Sequence, residues 1–154
     1  MELADFEGRW ALTRRIDDAR ANARGRFEGE ACFTAAPGGL AYVEEGRLTL
    51  GTAPAMTATR RYFWRAVPGV VRGEGATGGV IEIDFADGRF FHAFPTDAAR
   101  PEAEHACAPD HYRVRYDFTA WPAWRAEWRV LGPRKDHRMV SDYRRDAPIS
   151  HWRR

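Results

Sequence analysis

The chain has 154 residues, 44% of them hydrophobic and 13% aromatic, which is enough for one self-contained core. Its 24 Lys+Arg stand against 22 Asp+Glu for a net charge of +2, so it lacks the basic excess expected of a nucleic-acid or membrane-surface binder. No run approaches the ~18 apolar residues of a membrane span, and Cys32 and Cys107 are too few for a disulfide framework.

Met1 to Phe6 is acidic and has no apolar run, so no signal peptide is expected and the protein is placed in the cytoplasm. Leu3 and Phe6, three apart, suit a short helical turn over Met1 to Glu7. Gly8-Arg9-Trp10 then opens a strand in which Trp10, Leu12, Arg14 and Ile16 alternate against Arg9, Ala11, Thr13 and Arg15. In the next strand Phe27, Gly29, Ala31 and Phe33 share a face. Pro37-Gly38-Gly39 turns the chain. Leu40 to Leu50 is a third strand, with Tyr42, Glu44, Leu48 and Leu50 on one parity and a bend or bulge expected near Gly46. Met56 to Val67 follows. Its sides, Arg60, Tyr62 and Trp64 against Thr59, Arg61, Phe63 and Arg65, are both mixed, so its inward face stays open.

The glycine-rich stretch Pro68 to Gly78 has room for a short strand at Val70 to Gly73. Beyond it, Asp87-Gly88 is a strong hairpin signal. A two-residue loop there sets Phe85 opposite Phe90 and Ile83 opposite His92. One face is then Ile81, Ile83, Phe85, Phe90, His92 and Phe94, oily except for one histidine. Glu104 to Cys107 is a short strand after the surface loop Asp97 to Glu102. Tyr112, Val114, Tyr116 and Phe118 alternate with polar residues, and so do Trp124, Ala126, Trp128 and Val130. Gly132 to Asp136 is a turn. The last strand, Arg138 to Arg145, carries Met139, Ser141, Tyr143 and Arg145 on one parity, and a tail follows in which Trp152 is a candidate for docking.

This pattern predicts an all-β fold: a single antiparallel up-and-down β-barrel over residues 1–154, with about nine or ten strands and a short N-terminal helical turn. The segment Phe6-Glu7-Gly8-Arg9-Trp10 resembles the Gly-x-Trp opening of lipocalin and wider calycin barrels. That resemblance implies a tryptophan closing one end of the barrel with a last-strand arginine packed on it, Arg145 or alternatively Arg144. End to end, the chain also resembles a mostly bacterial family of uncharacterised proteins. The segments that carry this are Gly8-Arg9-Trp10, Tyr42 to Gly46, Arg61 to Trp64, Asp87 to His92, His105-Ala106-Cys107, Asp110 to Val114 and Gly132 to Asp136. The family resemblance implies a domain and a fold, and no catalytic residue.

Alternation places an unusual polar set inside: Arg14, Tyr42, Glu44, Tyr62, His92, Tyr112, Tyr116, Ser141 and Tyr143, among aromatics that include Trp128, while the facing of Arg60 and His105 stays open. Charges are costly to bury unless paired. Two readings follow. In one, the groups satisfy each other: Arg14 pairs with Glu44, the tyrosine hydroxyls reach the mouth, and His92 bonds a neighbour. In the other, they line a cavity for a small, partly apolar ligand with a polar or anionic head. Arg14 and Arg60, with Tyr112 or Tyr143, would then hold the head.

An enzyme in the same cavity, with His92 as general acid or base, is the alternative. Haem on His92 lacks a second supporting motif. His105-x-Cys107 with Asp110 and His111 has two ligands on one strand face, short of a zinc site. No cofactor or metal is therefore implied. The outer arginines Arg113, Arg115, Arg125 and Arg129 sit among acids as a solvated face, leaving a homodimer open as a partner and giving little support to nucleic acid.

Overall fold

A computed structural model of the chain describes residues 1–68 and 78–145. The expectations of a short strand at Val70 to Gly73 and of a docked Trp152 lie outside those residues. Ten strands follow a 3-10 turn, Leu3–Phe6. They are β1 (Gly8–Asp18), β2 (Ala23–Ala36), β3 (Gly39–Leu50), β4 (Met56–Val67), β5 (Val80–Phe85), β6 (Phe90–Pro95), β7 (Glu102–Cys107), β8 (Asp110–Asp117), β9 (Trp124–Gly132) and β10 (Lys135–Arg145). They hydrogen-bond in the order β6-β5-β4-β3-β2-β1-β10-β9-β8-β7, all antiparallel, with β1 closing onto β10. The fold is the expected all-β up-and-down barrel, nearly closed. Its seam lies between β6 and β7, which share no ladder among the described residues.

Alternation along each strand fills the interior. Trp10, Leu12, Phe33, Phe94, Ile81, Ile83 and Val114 are buried from five strands of the wall, β1, β2, β5, β6 and β8. The open question on β4 is settled by register: Trp64 is buried opposite Leu40, and Tyr62 stands opposite Tyr42, so Arg60, Tyr62 and Trp64 face in. The end near the N-terminus is closed. Trp10 is fully buried, donates from Nε1 to the Phe6 carbonyl at 2.8 Å, and pairs across the β1–β10 ladder with Arg145. The Arg145 guanidinium lies 4.0 Å from the Trp10 ring centroid and donates to the carbonyls of Glu7, at 2.6 Å, and Asp5. Arg145, not Arg144, is thus the arginine on the tryptophan. Gly8 is required there. Its φ is +117°, and a Cβ would stand 2.7 Å from the Arg145 guanidinium.

Two local expectations are corrected. First, β3 is not bulged at Gly46, because its register with β2 and β4 runs unbroken through that residue. Gly46 instead faces Gly29 across the ladder, and a Cβ on it would meet the Glu28 carbonyl at 2.2 Å and the Gly29 Cα at 2.7 Å. The glycines let two backbones approach, with the Phe27 ring packed over the gap. Second, Phe90 does not face in. The β5–β6 loop has three residues, Ala86 to Gly88, closed by Phe85 N–H to the Arg89 carbonyl at 2.8 Å and Gly88 N–H to the Phe85 carbonyl at 2.9 Å. Asp84 therefore pairs with Phe90, and Phe91 is the extra residue before Ile83 pairs with His92. Phe90 is 52% exposed and Phe91 is buried in its place.

Candidate functional site

The interior polar residues form two networks. In the first, Arg14 on β1 reaches diagonally to Glu44 on β3. Arg14 Nη1 donates to Oε1 at 2.7 Å and Nη2 to Oε2 at 2.9 Å, while Nε donates to Ser141 Oγ on β10 at 2.7 Å. This is the bidentate geometry that makes an arginine–carboxylate pair strong. Tyr42 donates to Glu44 Oε2 at 2.5 Å, and its oxygen stands 3.0 Å from the Tyr143 hydroxyl. With Tyr42 donating to the carboxylate, Tyr143 donates to Tyr42. The Tyr143 ring lies flat on Trp124, with centroids 3.7 Å apart. Arg60, opposite Glu44 in the β3–β4 register, brings Nε to 3.8 Å from Oε1.

Burial opposes charge on both partners, and pairing wins. The Arg14 pKa is raised despite its burial because Glu44 holds the proton on. The Glu44 carboxyl is held below its usual value against burial by Arg14, Arg60 and Tyr42. Burial first, and then Glu44, pushes Tyr143 up to about 12. One carboxylate thus stands between two guanidinium groups, which leaves a local excess of one positive charge.

The second network is small. His92 Nε2 lies 2.7 Å from the Tyr116 hydroxyl, and His92 Nδ1 has no partner among the described residues. Burial, with a contribution from His105, pushes His92 down to about 3, so its ring is neutral at pH 7. Burial also holds Tyr116 far above its ordinary value, so the phenol keeps its proton. That proton has one recorded neighbour, His92 Nε2. If His92 carried its hydrogen on Nε2, both the phenol hydrogen and Nδ1 would be orphaned. With Tyr116 donating, only Nδ1–H is. Each buried orphan costs about 1–3 kcal/mol, so the Nδ1–H tautomer is the one the site holds.

Two spaces that share four lining residues adjoin these networks. A deep cavity of about 30 Å³ is lined by nine of the ten expected site residues: Arg14, Tyr42, Glu44, Arg60, Tyr62, His92, Tyr116, Trp128 and Tyr143. That volume holds one or two water-sized groups. A larger space of about 290 Å³ lies at the open mouth, between Arg60, Tyr62, Phe85, Phe91, Tyr112, Trp128, Val130, Lys135, His137 and Met139. Tyr112, the tenth expected residue, is there. Far down, the polar groups bond one another. Nearer the mouth, room remains.

Arg60, Tyr62, Phe91 and Trp128 line both spaces. Phe91 stacks between Phe85, at 4.3 Å, and Trp128, at 5.2 Å, as a partition. The sequence reading missed Phe91, and its signal was the adjacent pair Phe90-Phe91, which simple alternation cannot assign. It also missed His137 and weighed Lys135 only within the Gly132 to Asp136 turn, and both reach the rim from β10. Lys135 is paired with Asp110 at 2.9 Å and His137 with Asp18 at 3.3 Å.

His105 turns inward against Phe85 and Phe91, with centroids at 5.6 and 5.3 Å. Cys107 is exposed, and His111 stands 3.4 Å from Glu104 on the outer face. Among the described residues no three His, Cys, Asp or Glu side chains gather as a metal site would need. Outside, Arg113 pairs with Glu104, Arg115 with Glu102, Arg125 with Asp142 and Arg129 with Asp136, at 2.6 to 3.5 Å. No helix among the described residues is long and apolar enough to cross a membrane.

The sequence from residue 6 to residue 145 matches the model of a family of unknown function, DUF6314. The chain belongs to that family. DUF6314 thus extends over both spaces and both networks, and over all ten strands. No curated protein matches the sequence. Among solved structures, an S-type phycobiliprotein lyase from Guillardia theta superposes with a TM-score of 0.61 over 94% of this chain and 90% of its own, at 8% identity. Similarity at that identity concerns the fold alone, and it agrees with the nearly closed antiparallel barrel of this DUF6314 member.

Proposed function

We propose that the barrel binds a small, partly apolar molecule with an anionic group, seated in the mouth with its charge at Arg60. One observation carries this reading: Glu44, the one carboxylate among the residues that line the deep cavity, faces two guanidinium groups. Glu44 is matched by Arg14, which uses three of its five N–H donors on Glu44 and Ser141. The Arg60 side chain remains 45% exposed, 3.8 Å from a carboxylate already neutralised. A half-exposed guanidinium against aromatic walls suits an oxyanion on a hydrophobic body. Tyr62, Phe85, Phe91, Tyr112, Trp128 and Met139 supply those walls. Arg14 acts in this reading through Glu44, and Arg60 touches the ligand.

A barrel of this fold can carry an enzyme, since the similar structure is named a lyase. In this chain, however, the candidate acid–base group has a pKa pushed down to about 3, and its Nε2 is engaged by a phenol, not by an orienting carboxylate. These observations favour binding over catalysis at His92.

Native mass spectrometry and an absorbance scan of protein purified from its own host should show a co-purifying small mass. Decanoate, as a probe, should quench tryptophan fluorescence, and Arg60→Gln should weaken its binding about tenfold or more, a charge-assisted contact being worth roughly 1.5–3 kcal/mol. Equal affinity in Arg60→Gln, or no binding of any amphiphilic anion, would overturn the reading.

A further inference from the structure

Below the mouth, two buried nitrogen atoms are left without partners. His92 Nδ1 and Trp124 Nε1 find no hydrogen-bond acceptor among the described residues, and both rings line the deep cavity. His92 is 3% exposed and Trp124 4%. Both atoms are donors. An indole nitrogen can only donate, and the Tyr116 contact leaves the ring hydrogen of His92 on Nδ1. Among the described residues, no acceptor on the cavity wall lies within hydrogen-bond distance of either atom. Glu44 is held by Arg14 and Tyr42, and the Tyr143 hydroxyl is engaged with Tyr42. With Arg14 matched by Glu44 and Arg60 taken by the ligand's own carboxylate, two neutral donors do not compensate a second negative charge. The acceptor that fits is therefore an uncharged oxygen, small enough for about 30 Å³.

Resting on the mouth as the ligand site, we infer that the deep cavity is a subsite for a carbonyl oxygen. The ligand is an oxo-acid whose carboxylate stays at Arg60 and whose keto or aldehyde oxygen accepts from His92 Nδ1–H and Trp124 Nε1–H. Arg60, Tyr62, Phe91 and Trp128 border both spaces, so a ligand spanning them runs along these four side chains. Phe91, on the β6 bulge and stacked on its neighbours by ring faces, is the part of the partition that gives way.

Tryptophan fluorescence of the full chain tests this with a straight-chain carboxylate and with oxo-acids of the same length whose keto group is moved along the chain. At least one oxo-acid should bind about tenfold tighter than the parent acid, one well-made hydrogen bond being worth about that factor. His92→Phe should bring the two to equality, and His92→Gln, which keeps an N–H donor, should retain part of the difference. Oxo-acids that bind no better than the parent overturn the carbonyl subsite and leave the mouth standing. No binding by any probe overturns both. Nitrogen NMR of the labelled His92 ring in the unsubstituted protein needs neither ligand nor variant. A hydrogen on Nδ1 and a bare Nε2 are expected, and a protonated Nε2 removes the donor and overturns the subsite.

Discussion

Glu44 is the residue on which the interior charge balance turns. It meets Arg14 on two oxygens, Tyr42 on one, and Arg60 at 3.8 Å, in a wall where the Glu44 side chain is 4% exposed. Removing one member of a buried pair leaves an uncompensated charge, which costs about 3–5 kcal/mol. Glu44→Gln should lower the unfolding free energy by that amount in urea titrations. Arg14→Met combined with Glu44→Leu should cost less than either change alone, because the pair leaves together. Strict additivity would mean that the two side chains do not meet.

His92 gives a second residue-level expectation. Its pKa is lowered from 6.5 to about 3 by burial and His105, so between those values the unfolded chain binds one more proton than the folded one. Stability is therefore full above pH 6.5 and falls with pH below it, by ~1.4 kcal/mol per unit. The carboxyl of Glu44 is lowered below its ordinary 4.5, so it adds no slope until more acid conditions. Between pH 6.5 and 4.5, wild-type protein should lose about 2 kcal/mol relative to His92→Phe. Parallel curves would mean that the ring is reached by water. The inward facing of Arg14, Tyr42, Glu44, His92, Tyr116 and Tyr143 was legible because they sit on clean alternations. The hydroxyls of Tyr42, Tyr116 and Tyr143, expected at the mouth, are instead bonded below it to Glu44, His92 and one another. The cost of lone buried charges already suggested that Arg14 and Glu44 pair. Alternation does not say how deep a side chain sits along the barrel. For that reason the separation of a filled depth from an open mouth became visible only in three dimensions.

Among the elements, the β5–β6 hairpin and the β2–β3 ladder show where pattern reading fails. Asp87-Gly88 marks a turn in either case, and the same dipeptide serves a two-residue or a three-residue loop. The longer loop moves Phe90 out, and the bulge at Phe91 restores the Ile83–His92 pairing. A residue count along the strands cannot see two offsets that cancel, so His92 was placed correctly while its neighbours were exchanged. Gly46 misleads in another way. A glycine in a strand signals either a bulge or a close approach, and only the partner decides which. Here the partner is Gly29. Gly46→Ala sets a methyl group 2.2 Å from the Glu28 carbonyl, backbone that cannot turn aside. The strands must part, and the change should cost about 1–3 kcal/mol, seen as a lower thermal midpoint with an unchanged far-ultraviolet spectrum. An unchanged midpoint would show that the two strands are not held so close.

At the scale of the whole molecule, the barrel is strong on one side and thin on the other. β1, β2, β3 and β10 run 11 to 14 residues, and each is hydrogen-bonded on both flanks. β5, β6 and β7 run six residues each, and β6 and β7 have a ladder on one flank only. The Phe91 partition and the inward His105 stand on those two strands. The part of the wall that must yield for the deep cavity to meet the mouth is thus the part with the fewest cross-strand bonds. Local opening should follow that distribution. In native-state hydrogen exchange, the β6 and β7 amides that face the seam should exchange first, while the β1, β2 and β10 amides exchange only with global unfolding. An amphiphilic anion in the mouth should slow β6 and β7, because it packs on Phe91 and Trp128, and leave β1 to β3 unchanged. If β6 and β7 were as protected as β1 without any ligand, the seam would be bonded in solution. Phe91 would then stand in a closed wall, and entry to the deep cavity would have to come from the mouth alone, past Arg60 and Tyr62.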